Sequence, residues 1–513
     1  MLKSSRLALS FLALILAPHI GRAQAHVTHD TIGGARALRD AGRLEPAASL
    51  LRRYVAAHPE QPEAARLLGE TLYWLKDRAA ARSVFESAIA GHPASIELRL
   101  TYGQMLVETR DDARARKVLE PLVGTQGSRG RAETRLGMAA YWAGDHSTAR
   151  RLFAAALAAD PTIGEARTAL HDILLAAAPR VQIAAQSLHD DQRLDRMGTR
   201  ITAKLFAAPL TGISAHVEPT RIRLDGGATT TLTFLEGAIG TYLPAMRTEV
   251  DLAGGMTARE TSSEWTGRLG IGLRSKGGFI LRARAERSQY LNTVASVATP
   301  LMMQTVGATL DWTHPRGWLA QAAASRDLFP DDNSIVTGYV WMFTPIVRTA
   351  AMEMHVGYAF TAQSAEESRY EIVSGTAPVP GPGFPSTPTG AYVPYYTPLD
   401  LRSHVALASI VLRPGSRITL KGGVGYGVAQ ETGESVQRRS VGPGQPATYA
   451  IVRAPRTFSP WNVRMSVDAA LSELLTLTAS GEAMRTAFYQ ATTLRIGVTQ
   501  AFSTPSLRRL NRQ

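Results

Sequence analysis

The sequence predicts an α + β multidomain protein, in which an N-terminal α-solenoid precedes an antiparallel transmembrane β-barrel of about sixteen strands. In the first third of the 513-residue chain, a helical motif recurs every 34 residues. In the remaining two thirds, apolar and polar side chains alternate within segments of about ten residues. An apolar segment with the form of an export signal stands at the N-terminus.

The export signal has three recognisable parts. Lys3 and Arg6 form a basic start, Leu7–Ala17 is a short apolar segment, and Ala23-Gln24-Ala25 has the small-x-small form of a cleavage site. We predict a signal peptide over residues 1–25, with cleavage after Ala25. A short membrane anchor is the alternative interpretation.

Charge and cysteine content limit the possible functions. The formal net charge is +13, which favours anionic partners such as nucleic acid, anionic lipid or anionic glycan. The arginines are dispersed and are not interleaved with aromatic residues on a recognisable module, which argues against nucleic acid. The chain has no cysteine, so disulfides, thiol catalysis and cysteine metal sites are excluded.

Three prolines mark the helical repeat. Pro59 and Pro93 are 34 residues apart, and Pro161 follows after 68, which is twice the period of a tetratricopeptide (TPR) repeat. Small residues would let paired helices cross closely, and large ones would fill the space between neighbouring pairs. The predicted packing residues are Leu68, Gly69, Ala81, Phe85 and Pro93 in one copy and Leu136, Gly137, Ala149, Phe153 and Pro161 in another.

These copies predict about four TPR-like repeats within residues 26–179, closed by a helix over Ile163–Ala177. The repeat binds peptides or proteins in many arrays but carries no chemistry of its own. An unrelated alanine-rich helical bundle is the alternative interpretation.

The alternating segments predict a barrel over residues 180–502, followed by a basic C-terminal tail over 503–513. Short turns at Arg413–Ser416 and Ser472–Leu474 are expected in the periplasm, and long loops at Gln363–Pro398 and Gln430–Pro460 outside the cell. A soluble sandwich or propeller is the alternative. The tryptophans expected in interfacial girdles are Trp265, Trp312, Trp318, Trp341 and Trp461.

Charged residues occupy the face opposite the apolar one. An arginine at the lipid midplane costs roughly 2–4 kcal/mol, so we expect this face to point into the barrel. One interpretation is a basic pore that favours an anionic solute; the other is that the arginines pair with acids and brace the wall. The candidate pore-lining residues are Arg268, Arg274, Arg282, Arg284, Glu286, Arg464, Asp468, Glu482 and Arg495.

We expect no enzymatic activity, no cofactor and no metal site. The HExxH, Walker A and GxSxG motifs do not occur in the sequence. The glycine run Gly422–Gly427 lies within an alternating segment and opens no helix, so it lacks the context of a nucleotide loop. His189, Asp190 and Asp191 are adjacent and would not converge on one point, so a solvated loop is the simpler interpretation.

The order of signal peptide, TPR array and barrel resembles the outer-membrane components of synthase-dependent exopolysaccharide export, namely those of cellulose synthase complexes and the poly-N-acetylglucosamine porins. The repeats at Leu68–Pro93 and Leu136–Pro161 carry the first half of this resemblance, and the barrel contributes architecture alone. The resemblance implies a periplasmic TPR domain that recruits a glycan-modifying enzyme or an inner-membrane synthase partner. The barrel would then pass the polymer through the outer membrane of a Gram-negative bacterium.

Three functions remain open at this point. The first is a channel for exopolysaccharide export, as in biofilm formation, with outer-membrane lipid, polysaccharide and synthase-complex proteins as partners. The second is a general or solute-specific porin with a TPR docking domain. The third is a non-conducting scaffold or assembly protein. A lumen filled by the Gln363–Pro398 loop would favour the third function or a gated channel.

Overall fold

The computed structural model describes residues 31–192, 194–224, 227–275, 277–373, 388–439 and 448–511. The predicted signal peptide lies outside these residues. The chain divides into two compact units between Pro121 and Leu122. The predicted fold class is confirmed, since helices fill the described chain to Ala176 and strands begin at Arg180.

The helices recur with the predicted period. α2, α4, α6 and α8 begin at residues 44, 78, 112 and 146, each 34 residues after the one before. The Asp77 and Asp145 side chains cap α4 and α8 by accepting backbone N–H bonds of 3.0 Å. The helices are α1 (Thr31–Asp40), α2 (Leu44–Ala57), α3 (Pro62–Trp74), α4 (Arg78–Gly91), α5 (Ile96–Glu108), α6 (Asp112–Val123), α7 (Arg129–Trp142), α8 (His146–Ala159) and α9 (Gly164–Ala176).

Glycines at one repeat position allow close helix crossing. A Cβ atom on Gly69 would lie 2.5 Å from the Phe85 ring, and one on Gly137 would lie 2.7 Å from the Phe153 ring. Both rings and the alanines four residues before them are fully buried. Leu68 is buried and Leu136 is half-buried, while Pro93 and Pro161 are exposed in the loops after α4 and α8.

Seventeen strands form one antiparallel sheet among the described residues, and a separate hairpin pairs two more. The strands are β1 (Arg180–Asp190), β2 (Asp195–Ala208), β3 (Thr211–Arg223), β4 (Thr229–Leu243), β5 (Thr248–Ala258), β6 (Ser263–Arg274), β7 (Phe279–Gln289), β8 (Met302–Thr313), β9 (Leu319–Leu328), β10 (Ser334–Arg348), β11 (Met352–Ala365), β12 (Tyr370–Val373), β13 (Thr389–Tyr392), β14 (Leu401–Leu412), β15 (Ile418–Arg439), β16 (Thr448–Phe458), β17 (Trp461–Ala470), β18 (Leu475–Arg485) and β19 (Gln490–Ala501).

The sheet closes into a barrel of sixteen strand positions. β16 and β17 both pair with the long strand β15, one on each half of its length, and therefore share one position. β1 pairs with β19 along its whole length, from Arg180 opposite Ala501 to Asp190 opposite Ala491. The predicted count of about sixteen strands is confirmed.

The two rims of the barrel differ in their loops. The rim next to Arg180, called here the helix-side rim, has only short turns, and the predicted short turns after β14 and β17 lie there. The opposite rim, called here the far rim, carries the longer connections. One of them contains the short helix α10 (Val294–Ala298).

One predicted loop is wrong. β15 continues through Arg439 and β16 begins at Thr448, so most of Gln430–Pro460 is a hairpin. Cross-strand ion pairs, Glu431 with Arg456 and Glu434 with Arg453, stabilise this polar hairpin. In the other predicted loop, Gln363–Pro398, the first residues belong to β11, and β12 and β13 form a separate hairpin. Residues 374–387 of this loop and residues 440–447 of the first one lie outside the described part of the chain.

The predicted basic tail contains a helix, α11 (Pro505–Leu510). The Thr504 hydroxyl caps it by accepting from the Leu507 N–H at 3.2 Å, and proline stands in its first turn. Leu507 and Leu510 are buried in one cluster with Phe153 of α8 and apolar residues of α9. The tail therefore extends the core of the last helices.

The predicted girdle of tryptophans requires one correction. Trp341 lies on the opposite face of β10 from the exposed residues Val340 and Met342, and its indole N–H donates to Gln321. Trp265 is 63% exposed on the apolar face of β6. The sequence does not separate the two faces of β10, because both of them carry large apolar residues. No helix in the described chain is long and apolar enough to span a membrane.

Candidate functional site

The barrel wall has an apolar face and a charged face. In β6, Trp265, Leu269 and Ile271 are exposed on one face, and Arg268 and Arg274 lie on the other. The neighbouring strands β4, β5 and β7 repeat this alternation with matching registers. A closed barrel has one outer and one inner surface, so one of these two faces points outward and the other lines the interior.

A cavity identifies the charged face as the inner one. It has a volume of about 650 Å³ and is lined by β19 and by β1 to β7. A cavity shared by eight consecutive strands can lie only on the concave side of the sheet. Arg200, Glu218, Glu236 and Arg268 all line this space, which is called here the wall cavity.

All nine candidate pore-lining residues lie on this inner face by strand alternation. Four of the arginines pair with acids. Arg268 lies 3.4 Å from both Glu236 and Asp251, and Arg284 lies 3.7 Å from Glu286. The other two arginines make three ion pairs, namely Arg274 with Glu249, and Arg282 with both Glu249 and Asp311.

Two of the candidate arginines differ from the rest. Among the described residues, no carboxylate lies within 4.0 Å of Arg464 or Arg495. Arg464 extends across Gly423, where a Cβ atom would lie 2.9 Å from its Nε. Arg495 donates to Gln186 at 2.8 Å. Glu482 is opposite Arg464 in the register, which places these three charged residues on one region of the wall.

The last predicted acid, Asp468, accepts from Lys421 at 2.9 Å. Of the nine candidates, most therefore belong to ion pairs, as the interpretation of arginines that brace the wall expects.

The His189–Asp191 segment is not a solvated loop throughout, because Asp190 is 2% exposed and accepts from the Leu194 N–H at 3.0 Å. His189 pairs with Asp195. The glycine run Gly422–Gly427 lies inside β15, as expected.

Sequence reasoning missed the polar inner face of β1 to β3. The sequence contains the alternating pattern that predicts this face, because Met197, Ile201 and Leu205 alternate with charged and small residues in β2. The missed residues that line the wall cavity are Gln186, Arg196, Arg200, His216, Glu218 and Thr220.

The loop between β7 and β8, residues 290–301, folds inward at the far rim. Val297 and Ser296 of α10 are fully buried. Val297 packs with Leu194, which lies in the turn before β2, and with Ile222 and Leu232 at the far-rim ends of β3 and β4. A capping box between Thr293 and Ser296 fixes the short helix.

The loop between β11 and β14 covers another part of the far rim. The Tyr395 ring is fully buried and stacks on Phe329 at 3.7 Å between ring centroids. Its hydroxyl lies within 3.0 Å of Asp331 and Asn333, and burial raises the pKa of Tyr395 to about 12. The Arg369 guanidinium donates to Asp331 at 2.6 Å.

Two further contacts hold this loop. The Tyr396 hydroxyl donates to Glu431 at 2.5 Å, and the Ser368 hydroxyl donates to Glu434 at 2.5 Å. The Thr293 hydroxyl donates to the Pro394 carbonyl and so joins the two loops. The far rim is therefore narrowed by two loops that are hydrogen-bonded to each other and to the wall.

The first compact unit carries a small groove beside an exposed aromatic residue. Trp74 is 48% exposed, and the Arg39 guanidinium lies 4.3 Å from its ring centroid. Tyr73, Gln104 and Glu108 line a groove of about 110 Å³ next to it. Burial, and then a hydrogen bond to Glu108, raise the pKa of Tyr73.

A closed antiparallel barrel with an apolar outer face and a charged inner face defines a β-barrel protein of the outer membrane. Its N-terminal part is a TPR-type helical array.

Solved structures resemble parts of the chain. A bacterial polysaccharide outer membrane secretin matches 64% of this chain and 99% of its own, at 8% identity and a TM-score of 0.46. Pseudomonas aeruginosa pilF matches 28% of this chain and 66% of its own, at 18% identity and a TM-score of 0.26. MamA from Desulfovibrio magneticus RS-1 matches 29% of this chain and 85% of its own, at 21% identity and a TM-score of 0.26. These likenesses assign neither a substrate nor a partner. No protein-family model and no curated protein matches the chain.

Proposed function

We propose that the protein is an outer-membrane channel that exports an exopolysaccharide and that its helical array docks periplasmic or inner-membrane proteins of the synthase complex. One observation supports this best: a closed barrel with a polar, cavity-bearing inner face is joined in one chain to a TPR-type array. The order of domains, which resembles that of exopolysaccharide export proteins, supplies the class of polymer.

Transport through such a wall requires many weak contacts, because tight binding at any point would stall the polymer. Ion pairing meets this requirement. Arg268, Arg274 and Arg282 already hold carboxylate partners, so a passing glycan competes for guanidinium groups whose positions are fixed. The inner face thus offers polar contacts without a continuous row of unpaired charge.

The far-rim loops make the proposed channel a gated one. Opening requires the separation of the Thr293–Pro394 contact and of the bonds that Tyr395 and Tyr396 make with Asp331 and Glu431. A partner or the advancing polymer would supply this free energy. The same loops support the second candidate, a non-conducting scaffold in which they stay in place.

The helical array would dock its partner through exposed aromatic and polar side chains. Trp74, with Tyr73 and Glu108 beside it, is the best-placed group in the first compact unit. Exposed tryptophans are frequent anchors at protein interfaces. Trp74→Ala should therefore weaken the association with synthase-complex proteins and leave barrel folding unchanged.

Single-channel conductance of the full chain in planar bilayers tests the channel. We expect little conductance while the far-rim loops stay in place, and conductance with a modest anion preference from Arg464 and Arg495 after removal of the loop segment 388–400. Arg495→Gln should reduce this preference, whereas Arg402→Gln, on the outer face of β14, should not. Absence of conductance, including after removal of the loop segment 388–400, would support the scaffold.

Deletion of the gene from its host tests the substrate. We expect loss of secreted exopolysaccharide with retention of the polymer inside the cell envelope. Unchanged secretion would overturn the proposed function, and unchanged secretion with a loss of permeability to small solutes would favour a general porin.

A further inference from the structure

The arginines on the outer face of the barrel are confined to one end. On the described strands they lie near the far rim, and the outer face near the helix-side rim carries no charged residue. An arginine is costly at the lipid midplane and nearly without cost at the interface, so the far-rim end of this face lies at the level of lipid headgroups. The outer-face arginines there include Arg221, Arg223, Arg287, Arg326, Arg402 and Arg485.

Half of these six arginines have no acidic partner. Three of them pair with acids of the chain. A cation without a carboxylate favours an anionic partner from outside the chain, and a layer of anionic lipid headgroups offers one. Within the described part of the chain, no carboxylate lies within 4.0 Å of Arg221, Arg402 or Arg485.

A break in the strand pairing opens a notch beside Arg402. β15 pairs with β16 as far down as Ala429 and with β17 from Tyr426 onward, so the wall is interrupted between these two residues. The resulting space, called here the outer notch, has a volume of about 540 Å³. Side chains from three adjacent strands line it in one row of the register: Arg402, Gln430 and Thr457.

The outer notch offers hydrogen-bond donors and no acid. Besides the three residues of this row, His404 and Ser459 line it, and no Asp or Glu does. The His404 Nδ1 lies 2.6 Å from the Tyr358 hydroxyl, which leaves the Nε2 for a further partner. A metal cation would find no carboxylate ligand here. A guanidinium fork with hydroxyl and amide donors around it suits a phosphate, which presents several acceptor oxygens on one centre.

An apolar surface continues from the outer notch toward the helix-side rim. Val428 lines the notch, and Tyr426 and Val424 follow it on the same face of β15, all three of them exposed. Tyr358 is exposed on the same face of β11, and Trp461 is opposite Tyr426 in the register. Tyrosine and tryptophan at this level are typical of a membrane interface. A ligand that fits both the notch and this surface has an anionic head and apolar chains.

We propose that the outer notch binds a phosphate group of an outer-leaflet lipid, whose acyl chains lie along the apolar surface beside it. The Arg402 guanidinium donates to the phosphate, and Gln430, Thr457 and Ser459 donate further hydrogen bonds. The inference goes beyond the proposed function and rests on it for the leaflet alone, since an export channel with periplasmic helices has its far rim at the cell surface.

Native mass spectrometry of the full-length protein in a non-ionic detergent tests the site. The probes are diphosphoryl lipid A, the same lipid without its phosphates, and inorganic phosphate, and the affinity of the first bound lipid is measured. We expect diphosphoryl lipid A to bind at least tenfold more tightly than the dephosphorylated lipid. Inorganic phosphate should compete at least a hundredfold more weakly, because it has no acyl chains.

Arg402→Gln should weaken the binding of diphosphoryl lipid A about tenfold, and Arg402→Lys should weaken it less, since lysine keeps the charge but not the fork. The matched control is Arg417→Gln, which removes the same charge from the exposed turn at the other end of the β14–β15 hairpin. This control should bind as the unaltered protein does. Heat-modifiable migration verifies that each barrel is folded, and Gln430→Ala, expected to weaken binding severalfold, decides if Arg402→Gln does not fold.

Equal affinity for the two lipids, or equal losses in Arg402→Gln and Arg417→Gln, would overturn the inference. Competition by inorganic phosphate as strong as that by the lipid would also overturn it, in favour of a site for a free anion. Each of these results leaves the proposed function standing. Phosphate-dependent lipid binding together with unchanged secretion in a deletion strain would support the notch and overturn the proposed function.

Discussion

The C-terminal helix provides a sharp test of how the helices are held. Leu507 and Leu510 are 2% and 6% exposed and pack on Leu170, Ile173 and Leu174 of α9. Truncation of a buried leucine to alanine costs about 2–5 kcal/mol, through lost transfer free energy and the cavity that remains. A helix of six residues cannot persist alone, so Leu507→Ala should release α11 from α9.

The magnitude follows from the lower end of this range. Because 1.4 kcal/mol corresponds to a factor of ten, a loss of 2 kcal/mol raises the population of the opened state about 30-fold. Hydrogen–deuterium exchange of the full chain should show faster exchange of the α9 amides by about this factor. Strand amides far from the helix-side rim should exchange as before.

Arg508→Ala is the matched control, because Arg508 is exposed on the same short helix. Exposed substitutions usually change stability by no more than about 0.5 kcal/mol, which is roughly a twofold change in exchange. The reasoning would be refuted if α9 exchanged equally in Leu507→Ala and in the unaltered protein, or if Arg508→Ala had the same effect as Leu507→Ala.

Three further outcomes are expected. Gly137→Ala should destabilise the helical part by about 1–3 kcal/mol, because the new Cβ would meet the Phe153 ring. Gly164→Ala is the control, since a Cβ there meets open space. Thermal melting followed by circular dichroism at 222 nm compares the two variants. Burial lowers the pKa of His146, with Asp145 opposing this, so the folded pKa is below the unfolded value of about 6.5. The stability that neutral His146 contributes is therefore fully present above the unfolded pKa and is lost as pH falls through the folded pKa. His146→Gln should reduce the loss of stability between pH 7.5 and pH 5.5 in the same melting experiment. Asp331→Asn removes the carboxylate that accepts from Tyr395 and Arg369, and trypsin should then cleave at Arg369 on the order of tenfold faster than in the control Asp332→Asn. Equal cleavage in the two variants would contradict the assigned role of Asp331.

The two periodic parts of the fold could be predicted from the sequence because a single pattern governs each. A glycine recurs sixteen residues before a large apolar residue, as in Gly69 with Phe85, and a helical repeat needs that spacing for its crossing. In the barrel, lipid on one side and polar surroundings on the other impose a period of two. Arg268 and its neighbours could therefore be placed on a face without knowledge of their partners.

The far rim could not be predicted in the same way, because tertiary contacts decide its structure. Glu431 and Glu434 gave their segment the polarity of a loop, but each pairs with an arginine on the facing strand. The inward course of the α10 loop depends on an apolar patch formed by two strands and the turn before β2. The wall cavity likewise assembles side chains from eight strands, and no local pattern reports such a convergence.

The docking of α11 on α9 has a consequence for the seam where the first and last strands meet. A slip of two residues between β1 and β19 keeps every side chain on its proper face, so alternation alone does not penalise it. Such a slip would shift Thr504 by about 7 Å relative to Arg180, at 3.3–3.4 Å for each residue. Leu507 and Leu510 would then miss their positions against α9. Since α9 precedes the first strand and α11 follows the last, their contact verifies that the barrel has closed in the correct register.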